Sequence, residues 1–149
     1  ISNEIKNNFT YCWYFFLEFI FIFTKRWKKQ LGDLETFSVG MVIMWHSLVT
    51  KSYEANGWNF SKWKKNKIIV PETGVNTMSI SEITHIPRPT VVRKLNYLLK
   101  NKYISVNKKK LFNVNMQDKT LTDTIKLQEK NVLSLSRLIF KIFGQINIK

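Results

Sequence analysis

Few side chains in this sequence are of the types that catalyse reactions or bind metal ions. The one cysteine, Cys12, cannot form an internal disulfide or a thiolate zinc site, and it favours a reducing compartment such as the cytoplasm. Neither His46 nor His85 has a second ligand at a spacing that suits a metal ion. The sequence also contains no glycine-rich phosphate loop and no Ser-His-Asp pattern. We therefore expect no enzymatic activity, no metal ion and no cofactor.

Basic side chains are the larger group that can do chemistry, because they bind anions. The 149 residues include 24 Lys+Arg and 10 Asp+Glu, which gives a formal net charge of +14. Residues 62–110 carry 12 basic and two acidic side chains, whereas residues 1–61 carry six and five, and residues 111–149 six and three. Such a local excess favours a polyanionic partner, either nucleic acid or an anionic membrane surface.

One stretch inside the basic region has side chains that can read DNA. Arginine recognises guanine edges or phosphate, asparagine recognises adenine, and the methyl groups of threonine and valine contact the methyl of thymine. The candidate DNA-binding residues of this stretch are Arg88, Thr90, Val92, Arg93 and Asn96. Their spacing places them on one side of a helix, near its start.

Two short helices joined by a tight turn must position these side chains. Ser79 and Glu82 match a capping box, so the first helix is predicted to begin at Ser79. It stops at His85, and a second helix is predicted from Pro89 to about Asn101, because proline suits the first turn of a helix. Two helices with so short a connection form a helix-turn-helix unit, whose second helix presents its N-terminal residues to the major groove. The predicted inward-facing residues are Ile80, Ile83, Ile86, Val91, Leu95 and Leu98.

A β-hairpin is predicted directly after the second helix. Residues 103–106 and 111–114 are short β-type runs, and Asn107 and three lysines separate them. Lys108, Lys109 and Lys110 at the tip are candidate contacts to the phosphate backbone or the minor groove, since such contacts come mostly from basic side chains. The alternative is a turn whose lysines are simply solvated.

The stretch 84–95, Thr-His-Ile-Pro-Arg-Pro-Thr-Val-Val-Arg-Lys-Leu, resembles the helix-turn-helix core of bacterial winged-helix transcription regulators. The resemblance covers residues 78–114, and the plan of long helices before and after them resembles the MarR family of dimeric repressors. It implies a winged helix, a homodimer and a possible small-molecule effector. The family usually has glycine where His85 stands, so we predict His85 in a turn with positive φ, which histidine tolerates better than most residues. Lys108 to Lys110 replace the Asp-x-Arg signature of the family's wing.

The first long helix is predicted from an apolar and aromatic run at residues 9–23 with a basic flank at residues 24–29. A transmembrane helix is the weaker interpretation, because the run has 15 residues where roughly 20 are needed, and Glu18 lies near its centre. A helix that is apolar on all sides is typical of a subunit interface. We therefore expect an oligomerisation helix; a membrane contact and an ordinary core helix are the alternatives.

Two more helices follow from cap signals and apolar spacing. Gly32 breaks the first helix and Asp33 caps the next, which is predicted to run to about Glu54 and to bury Phe37, Met41, Met44 or Trp45, and Leu48. His46 within it is interpreted as a core or interface residue. A last helix is predicted from Asp118 to about Phe143. Its residues Leu121, Ile125, Val132, Leu135, Ile139 and Ile142 form a helix-pairing seam.

The segment 57–75 looks like an insertion, predicted to be irregular. Trp58, Phe60 and Trp63 alternate with Lys62, Lys64, Lys65 and Lys67. These aromatic side chains can stack on bases, or they can pin a long loop to the body of the protein while the lysines stay solvated.

Together these observations predict a mainly α (α+β) fold with a winged helix-turn-helix, a small β-hairpin wing and long terminal dimerisation helices. We expect a single domain over residues 1–149, comprising N-terminal helices (1–54), a basic aromatic loop (55–76), the helix-turn-helix and wing (77–116) and a C-terminal helix (117–149). The expected partners are double-stranded DNA and a second copy of the chain. One alternative is a membrane-surface protein that uses the apolar first helix and the basic middle segment. A third possibility is a winged helix that contacts protein or RNA.

Overall fold

The computed structural model is mainly helical, with one small antiparallel sheet. It describes residues 1–52, 59–65, 72–115 and 119–146, and gives the backbone alone for residues 50–52, 63–65 and 119–122. The predicted mainly α class with a small hairpin is confirmed at this level. The elements in chain order are α1 (Ser2–Asn7), α2 (Phe9–Leu31), α3 (Leu34–Ser52), α4 (Phe60–Lys65), α5 (Thr77–Thr84), α6 (Arg88–Lys100), β1 (Ile104–Val106), β2 (Phe112–Val114) and α7 (Lys119–Phe143).

The chain divides into two compact units. Unit 1 comprises Ile1–Gln30 and Lys126–Lys149, and unit 2 comprises Leu31–Ile125. Unit 1 therefore contains α1 and most of α2 and α7, whereas unit 2 contains the two short helices and the hairpin.

The break between α2 and α3 is as predicted. Gly32 has a φ of 98°, a conformation that suits glycine, and the Asp33 Oδ1 atom accepts a hydrogen bond of 2.7 Å from the Thr36 N–H. The aspartate thus satisfies one of the amides that the first turn of α3 leaves without a helical partner.

The face that α3 buries differs in part from the predicted one, of which Phe37, Met41 and Met44 are half-buried. Thr36, Val39 and Ile43 are almost fully buried, while Trp45 is 60% exposed and Leu48 is also exposed. Apolar residues occur on every side of this helix, so their spacing does not select one face. Packing against α5, α6 and β2 makes that selection.

The helices α5 and α6 are both present, and the turn between them is as predicted. His85 adopts the left-handed conformation, with φ 55° and ψ 21°. The predicted capping box is wrong: α5 begins at Thr77, because the Asn76 side chain accepts the Ser79 N–H at 2.9 Å and acts as the cap three residues before the predicted one.

Most of the predicted inward residues of α5 and α6 form the core of unit 2. Ile80, Val91, Leu95 and Leu98 are buried, but Ile83 is 50% exposed, so its assignment is wrong. Thr84 lies one turn after Ile80 and donates its hydroxyl to the Ile80 carbonyl oxygen at 2.7 Å.

The hairpin is present, and an unpredicted bridge extends it. Ile104, Ser105 and Val106 pair with Val114, Asn113 and Phe112. Val75, which precedes α5, forms a further antiparallel bridge with Phe112, with N–O distances of 2.8 and 3.2 Å. This bridge ties the start of α5 to the hairpin.

The segment predicted to be irregular contains the helix α4. The Asn59 Oδ1 atom accepts the Lys62 N–H at 2.8 Å, as an N-cap does. Trp58 and Lys67 lie outside the described residues, as do the side chains of Trp63, Lys64, Lys65 and Leu121. The two interpretations of this segment therefore both stay predictions.

In unit 1, α2 and α7 contact each other through polar side chains. Arg26 donates from Nη1 to the Lys130 carbonyl at 3.0 Å, to Asn131 Oδ1 at 3.2 Å and to Ser134 Oγ at 2.8 Å. Eight large apolar side chains of α2 are 38–68% exposed and six of α7 are 42–81% exposed. Within the part of the chain that the structure describes, no helix combines the length and the apolarity needed to cross a membrane.

Candidate nucleic-acid interface

The candidate reading residues lie on the side of α6 opposite its buried side. Arg88, Val92, Arg93 and Asn96 are exposed, and Thr90 is half-buried. Val91, Leu95 and Leu98 on the other side are at most 2% exposed. The +4 and +3 spacing of those three residues fixes the rotation of the helix about its axis and therefore fixes which side chains face outward.

The start of α6 is held by its own backbone and by the turn before it. Pro87 is the N-cap residue, and its carbonyl oxygen accepts the N–H groups of Thr90 and Val91 at 2.9 and 3.0 Å. The Ser81 hydroxyl donates to the Ile86 carbonyl at 2.7 Å, which fastens the turn to α5. The first turn of α6 carries no acidic side chain, so an anion can approach it without repulsion.

Lys94 connects α6 to the start of α3. Its Nζ atom lies 2.8 Å from Asp33 Oδ2 and 3.4 Å from Glu35 Oε2, and its side chain is 13% exposed. Lys94 therefore positions α6 rather than adding an outward charge to it. The residue stands between Arg93 and Leu95 in the sequence, and its charge alone does not reveal a carboxylate partner 61 residues away.

The two charges of this contact support each other. Partial burial raises the pKa of Asp33, but hydrogen bonds from Lys94 and Thr36, together with the charge of Lys94, outweigh that effect and lower the pKa to about 2. The hydrogen bond to Asp33 raises the pKa of Lys94 above its usual value, against the opposing effect of burial. Both groups are therefore charged at neutral pH.

The hairpin tip presents the three candidate lysines to solvent. Lys108, Lys109 and Lys110 are exposed. Asn107 shapes the turn, because its Oδ1 atom accepts the N–H of Lys109 at 2.9 Å and that of Leu111 at 3.0 Å. Lys110 has a φ of 58°, at a hairpin position where glycine is favoured.

One carboxylate lies near this tip. Glu72 Oε2 is 3.7 Å from Lys109 Nζ, and the Glu72 carbonyl oxygen accepts a hydrogen bond of 3.0 Å from Asn107 Nδ2. Both charged side chains are largely exposed, so this ion pair is weak and water screens it.

A tight turn joins α6 to the hairpin. The N–H of Tyr103 donates to the Leu98 carbonyl at 2.9 Å and that of Lys102 to the Leu99 carbonyl at 3.0 Å, while Lys102 has a φ of 60°. This is the Schellman pattern of helix termination. It brings β1 against α6, so the reading side chains and the lysine tip are parts of one compact unit.

Val75, Asn76 and Lys94 hold the elements of the candidate interface in place, but the sequence does not mark them for this role. Of the three, only the role of Asn76 could have been predicted from the sequence, since asparagine before a helical run is a common N-cap. Among the described residues, no three histidine, cysteine or carboxylate side chains come together as metal ligands.

Comparison of this chain with models of protein families, with curated protein sequences and with solved structures gives no match.

Proposed function

We propose that this chain is a cytoplasmic transcription regulator that binds specific sequences of double-stranded DNA as a homodimer. In this proposal α5, α6 and the hairpin act as a winged helix-turn-helix. The observation that carries the proposal is the two-sided character of α6. One side is buried in the core, and the other exposes Arg88, Arg93 and Asn96 without a single acidic residue on the helix.

The chemistry of the exposed side suits the major groove. Arg93 can bond to guanine O6 and N7, and Asn96 to adenine N6 and N7, each in a bidentate manner. Val92 and Thr90 offer methyl groups to thymine. Because Lys94 binds Asp33 and Glu35, α6 is held in a fixed orientation. Arg93 and Asn96 on its outward side stay available for DNA.

The backbone conformation of Lys110 at the hairpin tip supports the same function. A left-handed conformation is unfavourable for lysine, so Lys110 gives up stability that glycine would provide at that position. Unfavourable conformations of this kind concentrate at functional sites. A cation at the tip of a wing is useful where a phosphate backbone passes.

The homodimer rests on two apolar stripes whose side chains stay 38–52% exposed in the described part of the chain. The α2 stripe consists of Phe9, Trp13, Phe16 and Ile20, and the α7 stripe consists of Val132, Leu135 and Ile139. Both have the +4 and +3 spacing of paired helices. Exposed apolar stripes of this kind mark sites of protein–protein contact.

The experiment is a selection of bound duplexes from a random pool at two salt concentrations. We expect two half-sites related by two-fold symmetry, with centres about 10 base pairs or a multiple of that apart. Arg93→Ala should relax the sequence preference. Lys109→Ala should weaken cognate and random duplexes about equally and lower the salt slope by about 1. Lys29→Ala removes the same charge outside these elements and serves as the control.

Two results would contradict the proposal. Absence of duplex binding at low salt would remove the function altogether. Unchanged binding of both cognate and random duplex by Arg93→Ala would show that the reading side of α6 is wrongly assigned.

A second candidate function follows from α2 itself. Its exposed aromatic stripe is followed by Lys25, Lys28 and Lys29, a combination that also suits an anionic membrane surface. Co-sedimentation with vesicles of anionic and of neutral lipid separates the candidates. A dimer that stays in the supernatant of both without detergent supports the DNA-binding proposal, whereas salt-sensitive binding to anionic vesicles favours the membrane.

A further inference from the structure

A groove of about 240 Å³ lies between α2 and α7 within unit 1. The two helices run antiparallel there, because Lys141 lies over Phe15 while Arg26 bonds to residues 130–134. From Phe15 to Arg26 the groove follows twelve residues of α2, and the eleven rises between them give a length of about 16 Å. It is therefore long and narrow.

The floor of the groove is apolar and its rim is cationic. Phe15, Phe19, Ile22 and Leu138 are half-buried and form the floor. Three cations, Arg26, Arg137 and Lys141, line the same groove with one acid, Glu18. An apolar floor with an excess of two positive charges is complementary to an anion that carries an apolar chain.

The three cations have no acidic partners within the described part of the chain. Arg26 donates hydrogen bonds from Nη1 to three oxygens of α7, and the Lys141 ammonium lies 4.0 Å from the centroid of the Phe15 ring. Arg137 is exposed and forms no ion pair with any residue that the structure describes. Arg137 and Lys141 are four residues apart, so they are neighbours on one face of α7 and can hold one anionic group together.

We infer that this groove binds a medium-chain alkyl carboxylate, one molecule per chain. The carboxylate lies at Arg137 and Lys141, and the alkyl chain extends over Phe19, Ile22 and Leu138 towards Arg26. The length of the groove favours an extended chain over a compact ring, and its volume favours a chain of moderate length. Glu18 opposes the carboxylate and limits the affinity.

The α2 stripe and the groove occupy different faces of the same helix. Phe16 follows Phe15, and Ile20 follows Phe19, by one residue, which is about 100° around the helix axis. A second copy of the chain seated on the stripe therefore leaves the groove side of α2 free. The inference is independent of DNA binding, because every residue that lines the groove belongs to unit 1.

The test is a calorimetric titration of the intact chain with decanoate, below the concentration at which decanoate forms micelles. We expect saturable binding with one site per chain. The Arg137→Gln, Lys141→Gln double variant should bind roughly tenfold more weakly, because charge-assisted contacts to the carboxylate are lost. Glu18→Gln should bind a few-fold more tightly, because it removes a repulsive charge. The Lys28→Gln, Lys29→Gln double variant has the same net charge as the groove variant and should stay within about twofold of the parent chain.

Four outcomes would overturn the inference. They are absence of saturable binding, equal affinity for decanol, equal weakening in the two double variants, and weaker binding by Glu18→Gln. Sedimentation of the groove variant adds a further check. If the variant dissociates the dimer while decanoate affinity is unchanged, the groove is part of the subunit interface and the inference is wrong. The substituted side chains are all exposed, so the variants should fold, and circular dichroism verifies this.

Discussion

Replacement of Asp33 tests the two contacts that fix the start of α3. Its Oδ1 atom caps the helix through Thr36, and its Oδ2 atom receives Lys94 from α6. Asp33→Ala removes both contacts, Asp33→Asn retains a capping oxygen without the charge, and Lys94→Met retains the cap without the ion pair. The three variants therefore separate the cap from the charge.

The expected magnitudes follow from the geometry. An N-cap contributes about 1 kcal/mol. The lowering of the pKa from 3.8 to about 2 corresponds to about 2.4 kcal/mol at full strength. Asp33 is 49% exposed, so solvent screening reduces this to about 1 kcal/mol. We expect Asp33→Ala to lower the free energy of unfolding by about 2 kcal/mol, and Asp33→Asn and Lys94→Met by about 1 kcal/mol each.

The pH dependence has a defined sign. The folded pKa of Asp33 lies below the unfolded value of 3.8, so the charged carboxylate stabilises the fold above that value. This contribution is lost as the pH falls through 3.8 to about 2. The parent chain should therefore lose more stability than Asp33→Asn between pH 6 and pH 2, by about 1 kcal/mol.

Urea denaturation followed by circular dichroism at neutral and acidic pH measures these differences. A double-mutant cycle of Asp33→Asn and Lys94→Met isolates the coupling, expected near 1 kcal/mol. A coupling of zero would contradict the ion pair of Asp33 with Lys94, and equal destabilisation by Asp33→Asn and Asp33→Ala would contradict the capping contact.

Three further predictions concern the turn, the hairpin bridge and the dimer. His85→Gly should leave stability unchanged or raise it by up to about 1 kcal/mol, while His85→Val should lower it by about 1–2 kcal/mol, because a β-branched residue opposes the left-handed backbone and glycine does not. Thermal unfolding measures both changes, and equal effects of the two variants would contradict the prediction. Gly74→Ala should lower the free energy of unfolding by about 1–3 kcal/mol, since a Cβ there would meet Asn113 Nδ2 at 2.6 Å. An unchanged midpoint in urea denaturation would contradict this tight contact. Ile139→Glu should convert dimers to monomers in sedimentation, whereas the control Lys130→Glu, at another exposed position on α7, should not. Persistence of dimers in Ile139→Glu would exclude the α7 stripe from the interface.

Local signals in the sequence predict all the elements except α1 and α4, and they predict the outward side of α6. Gly32 and Asp33 mark the end of one helix and the start of the next, and His85 occupies the predicted left-handed turn. The spacing of Val91, Leu95 and Leu98 is sufficient to orient the candidate reading residues. These features depend on steric and hydrogen-bonding preferences within a few residues, which is why they can be read without the tertiary structure.

Choices between equivalent local options were not predictable. Asn76 and Ser79 both suit an N-cap, and the structure uses Asn76. Apolar residues surround α3, and packing alone selects Val39 and Ile43 for the core. Ile83 matches the apolar pattern of α5 and is nevertheless half-exposed, because α3 and α6, which pack against α5, leave that side chain half uncovered.

Contacts between distant segments were decided only by the tertiary structure. The charge and spacing of Lys94 suit an outward DNA contact as well as they suit an ion pair, and the sequence cannot say that Asp33 lies 2.8 Å away. The bridge of Val75 with Phe112 and the groove between α2 and α7 depend in the same way on how separate elements pack. The sequence by itself determined where the three long helices, the pair α5 and α6 and the hairpin form, and which side of α6 is polar. The tertiary structure decided which charges are paired and which stay available, because those pairings depend on distances that no local preference encodes.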